Sequence, residues 1–246
     1  IFDQYNVNLM IIHGGIFPVF RILTNEAQQR EIPVLIQNHG DNNFFNDFAV
    51  RKLFSKIGGV AGVSSVGVPR YLQFRFKNLS DAINTDFFKL DSVEQSDFKQ
   101  PVVLLPARIS PEKNHKDLLR IARVLDKQGI SVTIIFAGNC SLTWYKEEII
   151  TLAKDYNLED KVILTGSLTP EAMRHFLAIS EVAVLTSEME GLPRVLLEAQ
   201  AMERPVVAYD VGGISEAIID GQKRFRIRKK IGLTKGSKVL LARPLK

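Results

Sequence analysis

The sequence predicts an α/β protein made of two units, each a parallel sheet covered by helices. Two observations predict it. Short apolar runs alternate with amphipathic stretches along most of the chain, and several of those runs are apolar on both faces, as buried parallel strands are. A polar, acidic stretch, DSVEQSDFKQ over 91–100, then interrupts the alternation. The expected organisation is a first unit over 1–90, incomplete at its N-terminus, a linker over 91–100, a second unit over 101–221 and a basic tail over 222–246, aberrant or disordered.

In the first unit, VNLMII (7–12), PVLIQN (33–38) and GVAGVS (59–64) read as strands, with helices over 17–30, 45–57 and 67–75. In the second, PVVLLPA (101–107) is a buried strand. Ser110 and Pro111 then supply an N-cap and a first-turn proline for a helix that carries Leu118, Ala122 and Leu125 on one face and stops near Gly129. SVTIIFAG (131–138) is the next strand, followed by a helix over 143–155. KVILTG (161–166) is a strand, and Thr169-Pro170 starts a helix. EVAVLTS (181–187) is a strand, and Pro193 opens a helix to about Met202. PVVAYD (205–210) is the last strand, before a short ISEAII helix.

Composition narrows the classes. With 246 residues, 46% hydrophobic and 24% charged, the chain is not collagen-like, disulfide-stapled or wholly disordered. The formal charge of +5 is split between regions: residues 1–221 hold 22 Lys and Arg against 27 Asp and Glu, while 222–246 hold 10 Lys and Arg and no acid. The basic character belongs to the tail, so a nucleic-acid partner is not expected of the body. Lone Cys140 excludes an internal disulfide. No apolar run reaches the roughly 18 residues of a membrane helix. The opening IFDQYNVNLMII has no basic flank or cleavage site, lacks a Met and reads as the middle of a domain.

In parallel sheets, ligands bind beyond the carboxyl ends of the strands. Arg108 follows the first strand of the second unit, with Lys113 five residues on. Gly138 ends the second strand. Glu190 and Gly191 follow the fourth, before the helix begun at Pro193, and Glu198 lies one to two turns into that helix. Gly212, Gly213 and Glu216 follow the fifth. A helix N-terminus with a glycine beside it can take a phosphate, and Arg108 and Lys113 could supply countercharge for a diphosphate. Glu190 could accept hydrogen bonds from sugar hydroxyls, and Glu198 from a ribose diol. Taken singly, each has a plain alternative: a solvated basic pair, a helix-dipole carboxylate, a solvated helix residue. Their joint placement on successive strand ends favours a site.

Those residues, in ARISPEKN, EGLPRVLLE and DVGGISEAI, resemble the donor domain of retaining nucleotide-sugar glycosyltransferases with the GT-B fold, the large family-4 group. The family's Glu-x7-Glu motif falls on Glu190 and Glu198. VNLMIIHGG, IPVLIQNHGD, GVAGVSSVGVPRYL and LSDAINTDFF resemble later parts of its acceptor domain, so the likeness covers roughly 1–221. The resemblance implies two Rossmann-like domains, the first incomplete. It implies that Arg108 and Lys113 bind the donor diphosphate, that Glu190 contacts the transferred sugar, that Gly191, Leu192 and Pro193 present backbone to sugar and phosphate, with Gly138 on the same donor side, and that Glu198 binds ribose. His39, in QNHGD, matches an active-site histidine; a structural role for it stays open. His13 reads as structural, and His115 and His175 as surface or packing residues.

The implied reaction is sugar transfer from a nucleotide diphosphate sugar to an acceptor hydroxyl with retention, in polysaccharide or glycoconjugate synthesis. No cofactor and no metal is expected, there being no Asp-x-Asp and no His/Cys ligand spacing. The acceptor is an unidentified glycan, lipid-linked or small molecule. The implied setting is cytoplasmic, with peripheral contact at the inner membrane face an alternative. Two other readings stay open: a non-catalytic nucleotide-sugar-binding fragment, and a related GT-B epimerase or phosphorylase. The sequence departs from the pattern in three places. The opening strands and glycine-rich acceptor loop are missing, Asp81-Ala82 stands where relatives show Asn-Gly, and QKRFRIRKK follows Gly221 in place of an Asn-Gly-Phe segment. One back-translation of QKRFRI, shortened by one nucleotide, encodes that segment, so a frameshift is an expectation for the tail beside a genuinely basic one.

Overall fold

A computed structural model describes residues 2–13, 18–38, 59–62, 64–65, 68, 76–78, 82–90, 97–218 and 239–242. The chain divides into two units, Ile1–Ala82 with Glu190–Leu192, and Ile83–Met189 with Pro193–Lys246. The helices expected over 45–57 and 67–75 fall outside the described residues, Val68 excepted. So do 91–96 of the expected linker and most of 222–246.

The first unit holds a parallel sheet in the order β1-β2-β3-β4, with β1 Met10–His13, β2 Val34–Asn38, β3 Gly59–Gly62 and β4 Phe76–Asn78. Each register is regular: Ile12 faces Ile36, and Ile36 faces Val60. A short helix α1, Phe2–Tyr5, precedes β1, and α2, Pro18–Gln29, connects β1 to β2. Ile12, Ala27, Val34, Ile36 and Ala61 are buried, the alternation in β2 sending Val34 and Ile36 to the core. β4 has no counterpart in the sequence reading. Its three residues, Phe-Lys-Asn, are exposed or half-buried and carry no apolar run.

The second unit holds a sheet in the order β10-β9-β8-β5-β6-β7. Its strands are β5 Val102–Leu105, β6 Thr133–Phe136, β7 Val162–Leu164, β8 Val182–Leu185, β9 Val206–Tyr209 and β10 Val239–Ala242. β5 to β9 pair in parallel, and every residue of β5 and β6 is buried, as a sheet covered on both faces requires. Between them run α3 His115–Lys127, α4 Thr143–Asp155, α5 Pro170–Ile179, α6 Arg194–Ala201 and α7 Ile214–Ala217. Leu105, Leu119, Ile134, Phe136 and Ile149 are fully buried in one cluster between β5, β6, α3 and α4. Thr169 caps α5 as its sequence predicts, its Oγ1 accepting from Ala172 N at 3.2 Å. Arg174 on α5 donates to the carbonyls of Phe87 and Lys89 at 2.9 and 3.1 Å, tying that segment to the second unit.

The order of this sheet fixes where its loops meet. The chain passes from β5 to β6 to β7 on one side, then returns to place β8 against the other edge of β5. The direction of winding reverses between β5 and β8, which is where a crevice opens beyond the strand ends in such sheets.

Two elements differ from the sequence reading. Ser110 and Pro111 do not open the α-helix: Pro111–Lys113 is a separate 3-10 turn. Asn114 then takes a left-handed conformation, φ 50° and ψ 47°, and α3 begins at His115. Asn tolerates that conformation better than most residues, so the break is local chemistry rather than a distortion. Within 222–246, Val239–Ala242 forms β10, antiparallel to β9 with Val239 opposite Tyr209. Its VLLA is a short apolar run hidden in a basic context.

Candidate functional site

The loop after β5 runs Pro106 to Asn114. Ala107 N donates to Leu105 O at 3.2 Å, and Ile109 N to Asn139 O at 2.8 Å, so the loop is stitched to the end of β6. Gly138 makes that approach possible: a Cβ there would lie 2.2 Å from Ala107 O, which real structures do not permit. Packing therefore explains this glycine without a ligand. The Arg108 side chain is largely exposed, with a loose ion pair to Glu112 at 3.6 Å. Ser110 Oγ donates to Glu112 Oε1 at 2.6 Å, and that bond holds the Glu112 carboxyl below its usual range.

Lys113 is fixed through its backbone. Its N–H donates to Ser110 O at 3.1 Å. Its carbonyl accepts from Thr186 Oγ1 at 3.0 Å, and the same hydroxyl donates to Asn114 O at 2.9 Å. Thr186 directly follows β8, so this contact joins the loops on either side of the reversal. A backbone bond from Glu188 N to Glu112 O, 2.9 Å, joins them again.

Beneath the loop lies Asp117, fully buried. Its Oδ2 accepts from Asn114 Nδ2 and from Tyr209 OH, each at 2.9 Å, and its Oδ1 from Arg120 Nη1 at 2.5 Å. Burial and the bond to Asp117 push the Tyr209 phenol upward. His115, next to Lys113 and Asn114, is buried and edge-on to Phe136, 4.8 Å between rings. Neither ring nitrogen makes a hydrogen bond of normal geometry. Burial lowers its pKa to about 4, against the weaker opposing pull of the Ala107 and Ser110 carbonyls. His115 is thus a packing residue, as its sequence position suggests, while His175 is exposed.

Glu190, Gly191 and Leu192 lie in the β8–α6 connection, Leu192 buried and the other two half-buried. Pro193 is the N-cap of α6 and makes no side-chain cap hydrogen bond to the first N–H groups of that helix. Glu198 lies on the next turn of α6, half-buried, with no hydrogen-bond partner among the described residues. Burial raises its pKa, opposed by the charge of Arg194 one turn earlier. After β9, Gly212 has φ 53°, a conformation that favours glycine, and Gly213 and Glu216 belong to the short α7 turn.

His39 lies outside the described residues, and of His13 only its place at the end of β1 is described. Sequence reasoning missed Asn114, Asp117, Thr186 and Tyr209. One signal was available: Asn114 and Asp117 stand three apart at a helix start, the spacing of a capping pair. Among the described residues, no three His, Cys, Asp or Glu side chains gather as a metal-ligand set, and no helix is long and apolar enough to cross a membrane.

Comparison with known proteins agrees with the fold. The chain superposes on Anabaena HepE, solved with UDP, at a TM-score of 0.70 and 18% identity, covering 86% of this chain and 63% of that one. A Rickettsia africae glycosyltransferase gives 0.69 at 19% identity, covering 89% and 62%. At that identity the likeness carries the GT-B-like α/β fold alone. In sequence, the chain is 33% identical over 122 residues to the alpha-D-kanosaminyltransferase of Streptomyces kanamyceticus, covering 50% of this chain and 31% of that protein. It is 28% identical over 232 residues to the poly(ribitol-phosphate) alpha-N-acetylglucosaminyltransferase of Staphylococcus aureus, covering 89% and 45%. The chain spans about a third to a half of the length of the curated relatives it matches. Residues 86–233, more than half the chain, match the profile of one family, and they include both loops that meet at the sheet reversal. The chain belongs to the glycosyl transferases group 1 family.

Proposed function

We propose that this chain is part of a retaining glycosyltransferase and that its second unit binds the nucleotide diphosphate sugar. The observation that carries the reading is the joining of the β5 and β8 loops at the sheet reversal, through Thr186 and the 112–188 backbone bond. That joining holds the loop of Arg108 and Lys113 against residues 186–188, upstream of α6, whose N-cap Pro193 makes no side-chain cap. Two cations and an N-terminal dipole suit a diphosphate, which must leave with its charge stabilised.

In this reading Arg108 and Lys113 hold the diphosphate. Glu190 accepts hydrogen bonds from the transferred sugar, with Gly191, Leu192 and Pro193 offering backbone groups. Gly138 acts on the donor side through the backbone approach it allows to Ala107 and Arg108. Glu198, half-buried and without a donor of its own, accepts the ribose diol. His39 acts near the sugar and phosphate. The bond from the anomeric carbon to the diphosphate oxygen breaks, and a bond to the acceptor oxygen forms on the same face. The acceptor's proton leaves on the diphosphate, which carries away the bonding pair. The transition state is oxocarbenium-like, as in glycoside hydrolysis. The chemistry asks for no cofactor or metal, and we expect none. The acceptor is a glycan, lipid-linked or small-molecule hydroxyl, and the setting is polysaccharide or glycoconjugate synthesis in the cytoplasm or at the inner membrane face.

Calorimetry of the chain with UDP, GDP and ADP tests the donor site. Binding of one of them, weakened by Lys113→Ala, is expected; no binding to any of the three overturns the reading. Binding without transfer would favour the alternative of a nucleotide-sugar-binding piece, which the partial span relative to known family members keeps in view.

A further inference from the structure

We propose that Asp117 is a positioning residue: acting through Asn114, it sets the backbone of Lys113 and with it the affinity for the second phosphate of the donor. The proposal rests on the donor-binding reading above.

Asn114 separates the Pro111–Lys113 turn from α3 by its left-handed backbone. Were Asn114 to relax to a helical φ, turn and helix would merge. Lys113 would then lie in the first turn of a continuous helix instead of at the end of a turn beyond the carboxyl end of β5. Asn visits the left-handed region more readily than other non-glycine residues, yet bonds around it must fix that state over the helical one. Four bonds do so. Its N–H donates to Pro111 O at 3.0 Å, and its carbonyl accepts from Asp117 N at 3.1 Å and from Thr186 Oγ1 at 2.9 Å. Its side-chain amide donates to Asp117 Oδ2 at 2.9 Å.

Asp117 is the centre of this arrangement. A fully buried carboxylate is costly unless it is surrounded by donors, and its donors come from three places: the β5 loop (Asn114), the end of β9 (Tyr209) and its own helix (Arg120). The carboxylate fixes the distance and direction between the loop and the β9 end. None of these groups need touch the ligand. Asp117, Tyr209 and Asn114 are all buried. They act through Lys113.

The test compares a nucleoside diphosphate with its monophosphate by calorimetry on the full chain, using UDP and UMP, or the guanosine or adenosine pair if the chain prefers that base. The ratio of the two affinities isolates the second phosphate. Asp117→Asn and Asn114→Ala should lower that ratio about tenfold or more, the scale of one charge-assisted hydrogen bond, while leaving monophosphate binding nearly unchanged. Asn114→Gly removes the side chain but accepts the left-handed backbone, so it should keep most of the ratio. The Asn114 pair decides the matter even if Asp117→Asn fails to fold. Equal ratios in wild type, Asn114→Ala and Asp117→Asn would overturn the proposal, as would equal losses for both nucleotides. A wild-type chain that binds neither nucleotide of any pair would instead overturn the donor-binding reading beneath it.

Discussion

Two carboxylates follow the two strands that flank the sheet reversal, and the protein treats them in opposite ways. Asp117, on the helix after β5, is fully buried and accepts three hydrogen bonds from the protein. Glu198, on the helix after β8, is half-buried, has no hydrogen-bond partner among the described residues and has its pKa raised by burial. A carboxylate that the fold satisfies is part of the scaffold. One that the fold partly desolvates and leaves without a hydrogen-bond donor, with only the charge of Arg194 in its favour, has acceptor capacity to spare for a ligand. The difference separates framework from site more sharply than the residue types do.

The largest effect should come from breaking the satisfied side. Asp117→Ala leaves Asn114, Tyr209 and Arg120 without their acceptor and should cost about 3 kcal/mol of stability, Arg120 being partly exposed and able to turn to water. Glu198→Ala removes a desolvated charge with no hydrogen-bond partner among the described residues and should cost little, while abolishing most nucleoside recognition if the proposed role holds. Urea unfolding followed by Trp144, the single tryptophan and in the second unit, measures both. Equal losses in the two variants would erase the distinction.

His115 is a third case, a buried titratable group that is neither satisfied nor poised for a ligand. Its folded pKa of about 4 lies below the ordinary 6.5, so the unfolded chain binds the proton more tightly. Above about pH 6.5 the group has no effect on stability. As pH falls from there to about 4, it destabilises the fold by up to about 3 kcal/mol. His115→Leu should remove that slope, which urea titrations between pH 7 and 4 would show as a difference from wild type. A slope unchanged in the variant would place the acid sensitivity elsewhere.

Gly138→Ala tests the scaffold from the β6 side. The added methyl meets Ala107 O at 2.2 Å, so the Ala107–Arg108 backbone must move. Overpacking of that kind should cost about 2 kcal/mol. It should also weaken nucleotide diphosphate binding, because Arg108 follows the displaced carbonyl. A stable variant with wild-type nucleotide affinity would detach the glycine from the site.

The framework strands of the second unit were legible because buried parallel strands are continuous apolar runs: PVVLLPA, SVTIIFAG and EVAVLTS each contain the observed strand. The loops carrying Arg108, Lys113 and Glu190 followed from those strands. What was not legible depends on three-dimensional pairing. Asp117 on an amphipathic helix looks like a solvated acid until Tyr209, 92 residues on, is seen to donate to it. Asn114 sits comfortably in a helical pattern, and its one local mark, an acid three residues on, reads equally as an ordinary helix start. β4 is three residues with little apolar character, and β10 lies in a segment whose charge hides a VLLA run. The residues that hold the site were thus harder to find than those proposed to act in it.

The smallest expected effect is also the most specific. In the proposed role, ribose hydroxyls would donate to an ionised Glu198 and favour that form, so ligand binding should lower the raised pKa. Nucleotide affinity should then be full at pH values above the raised pKa and decline as pH falls through it. The ligand-free protein moves the other way. Its fold binds the proton more tightly than the unfolded chain does, so the Glu198 contribution to stability improves as pH falls through the same range. Glu198→Gln keeps one acceptor and loses the charge. It should bind about tenfold more weakly at pH 7, consistent with the loss of a charge-assisted hydrogen bond, and should lose both pH dependences together. Calorimetry and urea unfolding at matched pH values read the two slopes. If Glu198→Gln changes with pH in affinity and in stability just as wild type does, so that neither difference between the two proteins depends on pH, then Glu198 is not the ribose acceptor and belongs with Asp117 in the scaffold.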